Sequence, residues 1–557
     1  MKNNKLIVFL IFFLAFILRF IYLGQIPAEL NRDEVSVGFN AYSLLKTGRD
    51  EHGRGPWPLV FKAFGDYKIP GYIYLVLPVI KFFGLNAFSV RLPAAFFGFL
   101  TIIVLYFFIK ELFPKNEWLA IIACFILAIA PFHLHYSRQQ FEATVALFFT
   151  LMGLLCLLKA RKNQKMLIFS LLAFLASFFT YNTSLFITLP LILWTFYVYR
   201  QDFLVKKKAT VLNIIFVFLI IISLLGYWNL VKEGNRGRTN TTIFNQIKTK
   251  EEIDSNLFLL NKKGSPLVIG RFFNNKLIFL TKAFIKNYLA AFNPKFIFIT
   301  SDNNYWHSLG YLNFGNILII LLPFILMGIF KIFINFKEKH NLWLIGYLFI
   351  TPIANGLTID SPILTRLLDF HLVLIVLAGL GLEQFLFRQK KNNLKNILFG
   401  GLFGFSICNY LLTYFLIFPQ SPMNASSWLT GIREVCQIVA KEEQKYDYIF
   451  LDSNVELGYI FFAFYFPFPP VNFQREAVWK FDGFDKVYSY KKYYFGLNVN
   501  EMNNFNNLKD IIGEGKSKNI LLIEKITPEI SITKEDNKFF IYDSFGKPIW
   551  QLKSIII

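Results

Sequence analysis

Two short stretches of this 557-residue chain gather the residue types that move protons and meet phosphates. The first holds Asp33 and Glu34, and the same segment continues to Asp66, Lys68 and Pro70. The second runs from His133 through His135 and Arg138 to Glu142, just ahead of the apolar run 143–158. Carboxylates such as those of Asp33, Glu34 and Glu142 can accept protons. Lysine and arginine can meet negative charge. Plainer explanations stand beside these. Asp33 and Glu34 are also what a solvated acidic pair on a loop looks like. Arg138 and Glu142, one helical turn apart, are also what a simple interfacial ion pair looks like. Against that, an ionisable group at the mouth of an apolar span is expensive and usually faces a cavity or a partner. His133 and His135 have no third ligand nearby, so they read as structural residues of an interfacial turn. Of the four cysteines, Cys124, Cys156 and Cys408 lie inside apolar blocks, so with Cys436 they offer neither a disulfide framework nor a zinc site.

The elements that must position these residues are membrane spans. The chain is 55% hydrophobic, has 68 phenylalanines and is only 17% charged, against about 25% in soluble domains. Its apolar residues come in blocks of the length that crosses about 30 Å of hydrocarbon. Spans are expected at 6–23, 91–109, 118–136, 142–158, 166–181, 184–199, 210–231, 309–330, 342–357, 367–387 and 397–418. The first follows Lys2 and Lys5 with no small-residue cleavage site after it, and reads as a retained anchor. Block 71–84 is short and contains Pro78 and Lys81. Leaving it out puts the basic loops 159–165 (net +4), 200–208 (+3), 331–341 (+2) and 388–396 (+4) on one side, with Lys2 and Lys5. That side is cytoplasmic by the positive-inside rule. Block 71–84 is therefore expected to be an interfacial helix on the outer surface. Eleven spans follow, with the N-terminus inside and the C-terminus outside. The net charge of +22 is then mostly topological and calls for no nucleic-acid partner. The outer segments 24–90 and 232–308 belong to a transmembrane region 1–418. The 232–308 loop carries 12 basic and 5 acidic residues. It reads either as a solvated loop or as a cover that attracts phosphate head groups. Tyr305-Trp306-His307 at its end reads as an aromatic anchor. The tail 419–557, with 16 basic and 17 acidic residues, is expected to be a small extracytoplasmic α/β domain. It should end in a hairpin turning at Phe545-Gly546-Lys547-Pro548.

An anchor span, then Asp33-Glu34, Ala41, Gly48, Lys68-x-Pro70, Phe83-Gly84, Arg91-Leu92-Pro93 and Ser137-Arg138 with Glu142, is an ordered set. It resembles the GT-C class of integral-membrane glycosyltransferases, in particular the protein O-mannosyltransferase and aminoarabinose-transferase group. The similarity is dense over 1–160. It is looser over 309–385, where Thr358 to Arg366 (TIDSPILTR) resembles a later outer loop and its arginine.

The resemblance implies a mainly α, polytopic GT-C fold in a cell (plasma or inner) membrane. It implies transfer of a sugar from a polyprenyl-phosphate donor to an acceptor hydroxyl on a protein, lipid or glycan outside the membrane, with inversion. Asp33 is then the base, with Glu34 and Glu142 as further carboxylates of the site. Lys68, Arg138 and Arg366 meet the donor phosphate. Asp33, Glu34 and Glu142 also offer the hard oxygen ligands that Mg²⁺ or Mn²⁺ prefers, although Tyr67 stands where an acid or histidine would add a ligand. An oligosaccharide transferase or surface-glycan ligase of the same class is the nearest alternative. A lipid-linked sugar flippase is the alternative from another class, but its charges should sit near the bilayer midplane on broken helices with internal repeats. Most blocks here lack charge, no repeat is evident, and the acids cluster at outer ends.

Overall fold

The computed structural model describes residues 2–203, 207–230, 242–244, 246–262, 272, 275–302, 304, 306–387, 393–421, 428–455, 457–482, 484–497, 511–512, 517–526 and 538–556. Tyr305 and much of the basic 232–308 loop, including 232–241 and 263–271, lie outside them. Two compact units emerge: residues 1–21 with 94–411, and residues 22–93 with 412–557.

The first unit is helical. It contains α1 (Lys2–Phe20), most of α4 (Ala87–Leu112), α5 (Glu117–Ile129), α6 (Pro131–Tyr136), α7 (Glu142–Ala160), α8 (Met166–Phe178) and α9 (Thr183–Val198). Helices Lys207–Leu230, Leu322–Ile334, Lys339–Ile350, Leu368–Phe387 and Asn393–Leu412 follow. Five helices among the described residues are long and apolar enough to cross a membrane, and shorter apolar helices accompany them. Every block expected to span carries helix, with three departures at prolines or glycines. Block 118–136 breaks at Pro131, and 342–357 breaks at Pro352, each proline lacking the amide that would continue the ladder. Block 309–330 has only the short 3₁₀ turn Gly310–Leu312 before continuous helix starts at Ile319. Before it, a Cβ on Gly315 would lie 2.2 Å from the Phe298 carbonyl carbon, so this stretch packs against backbone instead of coiling. Leu368–Phe387 is the buried centre, with residues 368–383 all shielded. Gly328 lets Leu322–Ile334 approach it to backbone contact, since a Cβ there would sit 2.1 Å from the Leu377 oxygen. Such small-residue contacts are how apolar helices associate without a hydrophobic driving force.

The second unit is built on a seven-stranded sheet. With β1 (Phe61–Ala63) and β2 (Asp66–Lys68) in a separate hairpin, its strands are β3 (Tyr448–Asp452), β4 (Val478–Asp482), β5 (Phe484–Tyr490), β6 (Tyr493–Leu497), β7 (Asn519–Lys525), β8 (Lys538–Tyr542) and β9 (Pro548–Ile556). Their spatial order is β4-β5-β6-β3-β7-β9-β8. β6, β3 and β7 run parallel, and the outer pairings are antiparallel. The expected terminal hairpin is present: Ile541 pairs with Trp550, and Gly546 turns with φ +74°. Asp543 accepts the amides of Phe545 and Lys547 and so holds the turn. Alternation along β3 and β7 divides the core. Ile449, Leu451, Leu521 and Ile523 face one cluster, while Phe450, Ile520 and Leu522 face the other. The first cluster also contains Leu30, Val35, Phe39 and Ala63. The segment between α1 and α4 and the tail thus share one hydrophobic core. Helix α2 (Arg32–Thr47) lies in it, and α3 (Pro70–Phe83) packs on α2.

Candidate active site

Helix α2 starts on a reciprocal cap. The Asn31 side chain accepts the amides of Asp33 and Glu34 at 2.9 and 3.0 Å. The Glu34 carboxylate reaches back to the Asn31 amide at 3.0 Å. This capping box satisfies donors that a helix start leaves open. Glu34 is fully buried and is gripped by the guanidinium of Arg91, Nε to Oε1 at 2.8 Å and Nη2 to Oε2 at 3.1 Å. Arg91, also fully buried, donates in addition to the carbonyls of Leu23, Pro27 and Glu29. Two charges out of water are tolerable only when paired and hydrogen-bonded like this.

Asp33 points the other way, with 47% of its side chain exposed. The Lys68 ammonium stands 2.8 Å from its Oδ1. The β1–β2 hairpin delivers that lysine. Phe64 and Gly65 both take positive φ, +58° and +79°, as a tight two-residue turn requires. Lys68 consequently lies opposite Phe61, and Pro70 opens α3 where no amide is needed. The structure therefore separates the two adjacent acids: Asp33 faces outward with a cation, and Glu34 is locked inward. Glu34, one of the carboxylates considered for a divalent cation, has both oxygens engaged and does not fit that role as folded. Among the described residues no group of three or more His, Cys, Asp or Glu side chains gathers as a metal site would.

A carboxylate not singled out in the sequence lies in the same unit. Glu51 is completely buried; Asn40 Nδ2 donates to its Oε1 at 3.2 Å, and its amide donates to Asn40 Oδ1 at 3.0 Å. Burial pushes its carboxyl up to about 8, with the Asn40 hydrogen bond opposing the shift. Its neighbour His52 stacks on Trp479 with ring centroids 4.0 Å apart. Burial, with Lys62 nearby, holds the His52 imidazole down at about 4. The run Asp50-Glu51-His52 was the available signal, three ionisable residues in the segment that carries Asp33.

The remaining expected site residues belong to the first unit. Glu142 is the first residue of α7 and half-buried, where a carboxylate complements the helix dipole. Arg138 is fully buried in the turn before it, and Nη1 donates to the carbonyls of Leu18 and Arg19 at 2.8 and 3.2 Å. These are oxygens that the end of α1 leaves open. His133 Nδ1 lies 2.7 Å from Arg19 Nη2, and His135 Nε2 lies 2.9 Å from the Trp306 carbonyl. Arg366 ends the 3₁₀ turn Leu364–Arg366. Asp302 anchors that turn, accepting the Leu364 amide at 2.9 Å and meeting His307 Nδ1 at 3.0 Å. Arg366 Nη1 is buried with no hydrogen-bond partner among the described residues.

This arrangement of helices with a terminal sheet unit is the fold of the GT-C class of membrane glycosyltransferases. ArnT from Cupriavidus metallidurans, in its apo state, matches over 98% of this chain and 97% of its own, with a TM-score of 0.51 at 13% identity. An Archaeoglobus fulgidus oligosaccharyltransferase matches 83% of this chain and 63% of its own, with a TM-score of 0.49 at 14% identity. In sequence, residues 68–228 match the dolichyl-phosphate-mannose-protein mannosyltransferase family. The putative mannosyltransferase YkcB of Bacillus subtilis (strain 168) is 32% identical over 183 residues, 31% of this chain. The match spans a quarter of that relative's length.

Proposed function

We propose that this chain is a membrane glycosyltransferase that moves a single sugar, mannose or a close relative, from a polyprenyl phosphate to a hydroxyl outside the membrane. The observation that carries the reading is the outward carboxylate of Asp33 held 2.8 Å from Lys68, the lysine at which the mannosyltransferase match begins. Asp33 takes the proton of the acceptor hydroxyl as that oxygen bonds to the anomeric carbon. The bond from that carbon to the phosphate oxygen breaks, and its electron pair leaves with the polyprenyl phosphate. Direct displacement inverts the anomeric centre. The departing phosphate is stabilised by cations rather than by an acid. Lys68, beside Asp33, is suited to that, while Arg138 holds the end of α1. Glu34 acts through the cap, setting Asp33 without touching substrate. Glu142 supplies negative charge at the start of α7.

The test reconstitutes the full chain in liposomes with radiolabelled polyprenyl-phosphate mannose and cell-envelope acceptors. Release of polyprenyl phosphate and label on the acceptor are followed together. Wild type should transfer, and Asp33→Asn should be slower by about 10²–10⁴-fold. Equal rates in the two proteins, or movement of the donor across the bilayer without transfer, would reject the proposal.

A further inference from the structure

The tail helix Gly458–Tyr465 touches α2 and the carboxylates on either side of it. Before α2, Tyr465 donates its hydroxyl to Glu29 Oε2 at 3.2 Å, and Arg433 Nη2 stands 3.4 Å from the same oxygen. The Glu29 carbonyl in turn accepts Arg91 Nη2 at 2.6 Å, and Arg91 is the residue that grips Glu34. After α2, Tyr459 OH lies 3.4 Å from Glu51 Oε2. Gln474 Nε2 shares its hydrogens among Ser43 Oγ, Thr47 Oγ1 and the Asp50 carbonyl at 2.9–3.0 Å. Between these ends Phe464 packs against Gly38, where a Cβ would stand 2.4 Å from its ring.

Helix α2 is thus held at its start, middle and end by side chains of the tail. Asp33 is its second residue, so the place of its carboxylate follows from how α2 is set. A reacting group misplaced by about 1 Å can lose about 10²-fold in rate. We propose that helix Gly458–Tyr465, with Arg433, is the positioning element for Asp33, acting through Glu29 and Arg91 on the cap of α2. The tail is then part of the working site and not an appendage. This inference rests on the role assigned above to Asp33.

The test compares wild type with Tyr465→Phe and with Tyr465→Phe/Arg433→Met, which remove the grip on Glu29 and leave Phe464 and the sheet untouched. Hydrogen exchange at the Asp33, Glu34 and Val35 amides should be at least tenfold faster in the double variant and intermediate in the single one. Amides of β3 and β7 should be unchanged. In the sugar-transfer assay kcat should fall at least tenfold, with KM for the lipid-linked donor within twofold of wild type. Unchanged exchange at the start of α2, or unchanged kcat, overturns the inference. If the double variant also loosens β3 and β7, Tyr465→Phe alone decides by the same two readouts. If wild type and Asp33→Asn turn over alike, the catalytic reading fails, while the exchange result still reports whether the tail sets α2.

Discussion

At the scale of single residues, two adjacent acids part company. Asp33 and Glu34 are neighbours of equal charge, yet one is 47% exposed and the other fully buried. Asp33 and Lys68 were singled out because an acid after an anchor span, with a lysine downstream, is a pattern of residue types, and the fold brings the two side chains to 2.8 Å. The fate of Glu34 was not read, although Asn31-x-x-Glu34 has the spacing of a capping box. What the sequence could not show was that Arg91, 57 residues later, folds back onto Glu34. The difference makes a stability prediction. Glu34→Gln leaves the buried Arg91 charge uncompensated, and breaking a buried pair on one side costs about 3–5 kcal/mol. Asp33→Asn disturbs a half-exposed pair worth about 0–1 kcal/mol. Thermal unfolding in detergent should show a large drop in midpoint for Glu34→Gln and almost none for Asp33→Asn. Equal midpoints for the two variants would mean that the Glu34–Arg91 fork does not hold the cap.

At the scale of elements, strands and spans were easier to read than breaks. The terminal hairpin followed from its turn residues. The start of the eighth apolar block did not, because hydropathy cannot tell a helix from a chain that lies on backbone beside Gly315. The turn after α2 was also missed as an electrostatic element. It carries Glu51, raised to about 8 from an ordinary 4.5, and His52, lowered to about 4 from 6.5. For Glu51 the folded state binds the proton more tightly than the unfolded one. Its contribution is full below pH 4.5 and is lost as pH rises through 8. For His52 the folded state binds the proton less tightly, so its contribution is full above 6.5 and is lost as pH falls through 4. The two slopes oppose each other between pH 4.5 and 6.5, leaving Glu51 alone to act from 6.5 to 8. Stability of the second unit should fall across that upper window by on the order of 2 kcal/mol. Glu51→Gln should flatten it. A wild-type denaturation midpoint that stays level from pH 6.5 to 8 would contradict the assignment.

At the scale of the whole molecule, the sidedness of the chain depends on one helix. Helix α3 has 14 residues, about 21 Å at the usual rise, short of the roughly 30 Å of a hydrocarbon core. Tyr72, Ile73, Val76 and Ile80 are buried along one stripe, and Tyr72 donates to the Val90 carbonyl. Its end shows Phe82 and Phe83 to the outside, 79% and 58% exposed, beside Lys81. A docked stripe with an exposed aromatic and basic end suits a helix lying in the interface better than one crossing it. Were it to cross, every later loop would change sides, and the net +4 of 159–165 would face outward against the positive-inside rule. Two exposed lysines separate these arrangements in a background carrying Cys408→Ala: Lys162 in that loop and Lys547 in the terminal turn. With a membrane-impermeant maleimide on intact cells, Lys547→Cys should react and Lys162→Cys should react only after lysis. The reverse pattern would make α3 a span and put the carboxylates of the first segment and the tail on opposite sides of the membrane. The shared core of Leu30, Val35 and Phe39 with Leu521 and Ile523 forbids that arrangement, because one packed core cannot straddle a bilayer. The packing of the second unit and the charge of the loops thus lead to the same expectation for the labelling, with the tail on the side of the first segment.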